Sequence, residues 1–248
     1  MDHQMVELKK TAVISGGTSG IGLAAARCLS REGWHVLLLG RHAEQGKRAE
    51  QQVPNSHFLS CDVTDPEQCR KAAASVGDDC RLSAVITAAG VYQEDLIENV
   101  SDQEIDRLFR TNVYGTIYLI RAAWPRLKRD GGAVLTVASD AALQGNVQCS
   151  VYGATKGAVA GFTRSLALEA AVHGIRVNCL CPGDTKTSLL AGQLRQYGGT
   201  VSDMEQHYPL GRIATADEIG CVAAFLVSPK ASFITGAVIP ADGGLTDW

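Results

Sequence analysis

Short β-rich runs recur along the chain at Thr11–Ser15, Trp34–Leu39, His57–Cys61, Leu82–Thr87, Ala133–Ala138, Ile175–Cys181 and Ala237–Pro240. Helical patterns separate them. An Ala-rich stretch runs from the first glycine cluster to Gly33, a polar one covers 43–52, and another starts near Asp65-Pro66. From Ser101, spaced with Glu104 as a capping box, Ile105, Leu108, Phe109, Val113, Ile117, Ile120 and Trp124 keep helical spacing. A helix over 152–172 carries Val159, Phe162 and Leu166 on its apolar stripe, and a last helix lies near 215–228. Strands alternating with helices predict an α/β fold with a parallel sheet. Residues 184–211 break that rhythm with Gly192, Gly198 and Gly199 among Leu189, Leu190, Leu194, Tyr197, Tyr208 and Leu210. A flexible, partly apolar, glycine-punctuated insertion beyond a strand end predicts a substrate lid, or else a mobile surface loop. No repeat or linker divides residues 1–248, so one domain is expected.

Composition narrows the class. The 248 residues are 46% apolar and 20% charged, which is globular. The net charge is −3 with Lys and Arg scattered, so no nucleic-acid partner is expected. Met1–Lys10 is polar and lacks the apolar core of a signal peptide, and no run is long enough to span a membrane. Eight cysteines lack paired C-x-x-C spacing, and Cys179 and Cys181 would share one strand face. Buried small hydrophobes in a reducing cytoplasm, with no metal site, are expected.

The chemistry starts where the first strand runs into Gly16-Gly17-Thr18-Ser19-Gly20-Ile21-Gly22 and then a helix. Glycines let backbone approach a pyrophosphate, and the helix N-terminus faces the anion. The second strand ends at Gly40-Arg41. A carboxylate there would bond the ribose 2′-hydroxyl of NAD, whereas a guanidinium matches a 2′-phosphate. NADP(H) is therefore favoured and NAD(H) possible, unless Arg41 is a solvated loop residue. Asp62 either meets an adenine amino group or caps the helix near Asp65-Pro66. Asn112 interrupts the long helical pattern, either facing solvent or marking an irregularity whose freed carbonyl holds water. Ser139 ends the fifth strand, where strand ends line the ligand crevice. Tyr152 and Lys156 lie one helical turn apart on one face. An ammonium beside a phenol favours the phenolate and lowers its pKa toward neutrality, suiting it to trade a proton with an alcohol or carbonyl oxygen.

In this order and spacing, Gly16-x-x-x-Gly20-Ile21-Gly22, Asp62-Val63-Thr64, Ala89-Gly90, Asn112, Ser139, Tyr152-x-x-x-Lys156, Pro182-Gly183 and Asp242-Gly243-Gly244 resemble the short-chain dehydrogenase/reductase family over essentially the whole chain. The resemblance implies a single-domain Rossmann-type doubly wound sheet of about seven strands, order 3-2-1-4-5-6-7. It implies Tyr152 as general acid/base, Ser139 on the substrate oxygen, Lys156 on the nicotinamide ribose and Asn112 holding a water. Thr18, Ser19 and the glycines would line the phosphates, Asp62 and Val63 the adenine, and Thr185 and Thr187 the carboxamide and phosphates. Substrate contacts would come from Ser139, Asp140, Tyr152 and Leu189. Asp140, where a small or hydroxyl residue is usual, would favour a polyol or a cation, or face solvent. Thr87-Ala88 replaces an Asn-Asn pair, removing a sheet-tying hydrogen bond worth about 1 kcal/mol. The implied activity is hydride transfer between a nicotinamide cofactor and a secondary alcohol or carbonyl, in a cytoplasmic homo-oligomer, tetramer or dimer. The alternatives are a silent nucleotide-binding regulator, or a lyase or epimerase using the cofactor transiently.

Overall fold

In the computed structural model, which describes residues 8–247, the expected strands pair into one parallel sheet. Most of the Met1–Lys10 stretch lies outside the described residues. The chain begins β1 (Lys9–Ser15), α1 (Gly20–Arg31), β2 (His35–Gly40), α2 (Ala43–Gln52), β3 (Ser56–Ser60), α3 (Pro66–Ala74) and β4 (Cys80–Thr87). It continues through α4 (Asp102–Leu108), a π-helical turn (Phe109–Tyr114), α5 (Gly115–Asp130), β5 (Gly132–Val137), α6 (Ser150–Ala171) and β6 (Ile175–Pro182). Two-residue strands β7 (Thr185–Lys186) and β8 (Ala214–Thr215) bracket α7 (Ser188–Tyr197) and α8 (Val201–Glu205). The chain then closes with α9 (Ala216–Val227) and β9 (Val238–Ala241).

The sheet order is β3-β2-β1-β4-β5-β6-β9, and every pairing is parallel. This is the expected doubly wound topology. Strand residues alternate between two cores. Ala12, Ile14, Val36 and Leu38 pack with α1 and α9, while Val13, Leu37 and Leu39 pack with residues of α3, α5 and α6. Both faces are covered, so these strands are apolar at nearly every position. The order reverses between β1 and β4, and a crevice opens beyond the strand C-termini at such a point.

Local chemistry sets the helix starts. Asp65 caps α3 by accepting from the backbone of Glu67 and Gln68. Asp62 instead accepts from the amide and hydroxyl of Thr64 at 2.9 Å. The expectation that Asp62 caps this helix is therefore corrected: with Pro66 in the first turn, the residue just before it holds the N-cap. The Ser101–Glu104 capping box forms as expected. The irregularity expected at Asn112 is the π-helical turn, a wider coil that such sites often use. Among the described residues no helix is long and apolar enough to cross a membrane.

Candidate active site

At the end of β1 the chain must turn sharply under β4. Gly16 has φ 65°, and a Cβ there would sit 2.8 Å from the carbonyl oxygen of Ala88. A Cβ on Gly22 would collide with Gly16 itself. The glycines thus let turn, strand and helix approach closely. Ser19, the N-cap of α1, makes no side-chain capping bond, and no acidic residue lies in the first turn. The N–H groups and positive dipole end of α1 are left for an external anion. A groove of about 230 Å³ runs from this terminus past Thr18, Arg41, Asp62, Val63 and Gly90. These are groups that fit the phosphates, ribose and base of a dinucleotide. Arg41 is exposed, and among the described residues it enters no salt bridge. Gly40 leaves room for Thr18, whose hydroxyl would lie 2.8 Å from a Cβ there.

The Ala88 substitution does not unfasten the sheet. The amide of Ala88 donates to the carbonyl of Ser15 at 3.1 Å, and that of Ala89 to the Ser15 hydroxyl at 3.3 Å. These bonds use backbone amides, and the side-chain bond that alanine cannot make is not among them. Nearby, the buried Thr87 hydroxyl has no hydrogen-bond partner among the described residues.

The groove opens into a cavity of about 390 Å³. Ile21, Gly90, Thr187 and Leu189 line both spaces, so a single ligand can extend from one into the other. Ser139, Asp140, Tyr152, Lys156, Pro182, Gly183 and Thr185 line the cavity. The candidate catalytic, cofactor and substrate residues therefore gather around these two spaces, except Asn112, which lies behind Gly90; Asp242-Gly243-Gly244 lines neither. A Cβ on Gly90 would be 3.4 Å from Asn112 Oδ1 and 3.6 Å from Lys156 Nζ. Asn112 accepts from the amide of Val91 (2.9 Å) and donates to its carbonyl (3.0 Å) and to the Thr155 hydroxyl (3.1 Å). Its own carbonyl accepts from the Thr116 hydroxyl at 2.9 Å. Thr185 donates to the Gly183 carbonyl, and Thr187 caps α7 by accepting from Leu190.

Tyr152 and Lys156 are both buried in α6. Lys156 Nζ donates to the Val137 carbonyl at 3.2 Å and lies 5.6 Å from the centroid of the Tyr152 ring. Burial lowers the Lys156 ammonium to about 8. Burial raises the Tyr152 phenol, the Ser139 hydroxyl beside it acts in the opposite direction, and the charge of Asp140 adds to the rise. The expectation that Lys156 brings the phenol toward neutrality is therefore corrected for the protein alone. Desolvation of a fully enclosed phenol outweighs a cation more than 5 Å from the ring centroid.

Ser139 donates to Asp140 Oδ1 at 2.7 Å, and Asp140 Oδ2 accepts from the amides of Asn146 (2.9 Å) and Gln144 (3.4 Å). Asp140 thus faces inward rather than to solvent. Two acidic residues of the cavity were not singled out in sequence. Glu94 accepts from the Tyr92 hydroxyl and from Gln193 Nε2 at 3.5 Å. Asp184 accepts from the Tyr208 hydroxyl at 3.0 Å, and its own amide donates to that hydroxyl at 2.6 Å. Asp184 directly follows Pro182-Gly183 at a strand end, a signal that could have marked it. The segment 184–211 presents a partly apolar lining. Leu189 and Leu190 line the cavity, but so do Asp184, Gln193, His207 and Tyr208.

Comparison with known proteins agrees with this geometry. A family model described as enoyl-(acyl carrier protein) reductase matches residues 16–246. The chain is 32% identical over 241 residues to a carbonyl reductase family member 4 of Danio rerio, covering 96% of this chain and 98% of that protein. It is 32% identical over 240 residues to an L-fucose dehydrogenase of Bos taurus, covering 95% and 88%. Among solved structures, ElxO with NADP bound aligns with a TM-score of 0.90 at 28% identity, covering 97% of this chain and all of that one.

Proposed function

Because the chain belongs to the short-chain dehydrogenase/reductase family and is a nicotinamide-dependent oxidoreductase, we propose that it interconverts a secondary alcohol and a ketone, with NADP(H) favoured over NAD(H). The observation that carries this reading is the meeting of Ser139, Tyr152 and Lys156 in one cavity continuous with the groove at the α1 N-terminus. The nicotinamide, when bound, supplies the hydride for reduction or accepts it in oxidation. Tyr152 gives its phenolic proton to the oxygen that becomes the alcohol, and takes it back in the reverse direction. Ser139 turns its hydroxyl from Asp140 to that oxygen, a rotation about one bond, and stabilises the charge that develops. Lys156 binds the nicotinamide ribose, and the backbone at Asn112 holds a water beside it. Arg41 meets the 2′-phosphate. Residues 184–211 act as the substrate lid.

The reading extends to a cytoplasmic homo-oligomer, dimer or tetramer, consistent with Leu168 and Val172 standing exposed at the end of α6. Light scattering tests the oligomer. The activity is tested by thermal shift with NADPH against NADH, then by an alcohol and carbonyl screen read by nicotinamide absorbance. Turnover is expected, and Tyr152→Phe should lower kcat by at least about 100-fold while cofactor still binds. Cofactor binding with no turnover of any compound would indicate a regulator instead. Product formed without net cofactor consumption would indicate a lyase or epimerase.

A further inference from the structure

Three carboxylates reach the cavity from three separate connections. Glu94 follows β4, Asp140 follows β5 and Asp184 follows β6. Among the described residues none of them enters a salt bridge, and no group of acidic, histidine or cysteine side chains could hold a metal ion. Their donors are neutral hydroxyls and amides from Ser139, Asn146, Gln144, Tyr92, Gln193 and Tyr208. They also share one field. Burial raises the Asp184 carboxyl, the Tyr208 hydroxyl opposes this, and the charges of Asp140 and Glu94 raise it further. Ser139 and Tyr152, each more than nine-tenths buried, line the same cavity.

We propose that this cavity takes an uncharged, multiply hydroxylated substrate, a sugar or polyol, and that Glu94, Asp140 and Asp184 accept hydrogen bonds from its hydroxyls other than the reacting one. The proposal rests on the oxidoreductase reading above and narrows its substrate. A carboxylate offers about four acceptor positions, so each of these groups keeps capacity beyond its protein donors. A purely apolar ligand would cover these groups without replacing the water that solvates them, which is costly. An anionic ligand would face three like charges, with only Lys156 and His207 as basic side chains of the lining. An ammonium could pair with the carboxylates but is more costly to dehydrate than a hydroxyl. It also shares the space with Lys156. A hydroxyl both donates and accepts, which suits a lining that mixes carboxylates, amides and phenols. The cavity, at about 390 Å³, has room for a ring of this size.

The test is a panel of compounds, each carrying one kind of reacting secondary carbinol. It contains neutral hexoses and cyclic polyols, cyclohexanol, a hydroxy acid and an amino alcohol, assayed by kcat/KM with the preferred nicotinamide. A hexose or polyol is expected to lead every other class by at least about tenfold, the worth of one hydrogen bond to a charged group. In Glu94→Gln and Asp184→Asn the ratio of kcat/KM for the polyol to that for cyclohexanol should fall about tenfold, mainly through KM. Preference for cyclohexanol, the hydroxy acid or the amino alcohol overturns the proposal and leaves the oxidoreductase reading intact. So does a ratio unmoved by both variants. An activated apolar diketone serves as a control for hydride transfer. If neither it nor any other member is turned over, the oxidoreductase reading itself fails and the proposal fails with it.

Discussion

Asn112 donates from Nδ2 to the Thr155 hydroxyl at 3.1 Å, tying the π-helical turn to α6 one residue before Lys156. Thr155 in turn donates to the Tyr152 carbonyl at 2.7 Å. The site is thus held from behind by a buried polar chain. Asn112→Ala removes the partner of the Val91 amide and carbonyl and the donor to the Thr155 hydroxyl. Loss of about 3 kcal/mol of unfolding free energy is expected, together with a lower kcat. Asn112→Asp keeps the acceptor for Val91 and should fall between the two in denaturant titrations.

The shifted groups predict opposite pH profiles for the two directions. Burial holds Tyr152 protonated well into the alkaline range. Reduction, which uses the acid form, should be flat through neutral pH, and oxidation should rise with pH when kcat/KM is measured in each direction. Lys156 is lowered from 10.5 to about 8. Its contribution to stability is therefore present above 10.5 and lost as pH falls through about 8. Lys156→Met should be more stable than the parent below pH 8, with the advantage shrinking toward pH 10.5 in chemical denaturation of the ligand-free protein.

Arg41 gives a prediction about cofactor choice. Arg41→Ala should weaken NADPH about tenfold or more by calorimetry and leave NADH nearly unchanged, since only the 2′-phosphate is lost as a partner. Tighter binding of NADH than NADPH by the parent protein would remove this role from Arg41.

The unpartnered Thr87 hydroxyl predicts a gain from its removal. Thr87→Val keeps the shape and deletes a buried group without a partner, so the melting temperature should hold or rise, by up to about 1 kcal/mol in stability. A clear drop would show that the hydroxyl is satisfied in solution.

Asp184 predicts a pH-dependent gain. Its carboxyl is raised by burial, so the stability it lends in the protonated form is lost as pH rises through its folded pKa. Asp184→Asn should raise the melting temperature at neutral pH, and the gain should vanish in acid once the parent carboxyl is protonated.

The parts of this protein most legible in sequence are those whose signal is local. Gly16, Gly20 and Gly22 sit between a β-rich run and an Ala-rich helix, and Ser101 and Glu104 are three residues apart; each pattern is complete within one turn or one connection. Tyr152 and Lys156 share a helix face for the same reason. The ends of the elements shifted by a residue or two because caps decide them, as Asp65 does for α3. The acidic lining was not legible as a set. Glu94 and Asp140 are far apart in sequence and become neighbours only when the ends of β4 and β5 are brought side by side. The tie between Asp184 and Tyr208 spans 24 residues and depends on the path of α7 and α8. Nor does spacing foretell the Tyr152 shift, because it depends on how much protein encloses the ring.

The small parallel pair of β7 and β8 joins Thr185 to Ala214 and Lys186 to Thr215. It draws together both ends of the segment that carries α7 and α8, as the neck of a bag is drawn by its string. Residues 187–213 lie outside the seven-stranded sheet, so a change in the length of α7 and α8 need not move its register, whereas Thr187 and Leu189 also line the groove at α1. The turn after β1 and the segment between β7 and β8 are thus anchored separately, one by the main sheet and one by its own two-stranded neck.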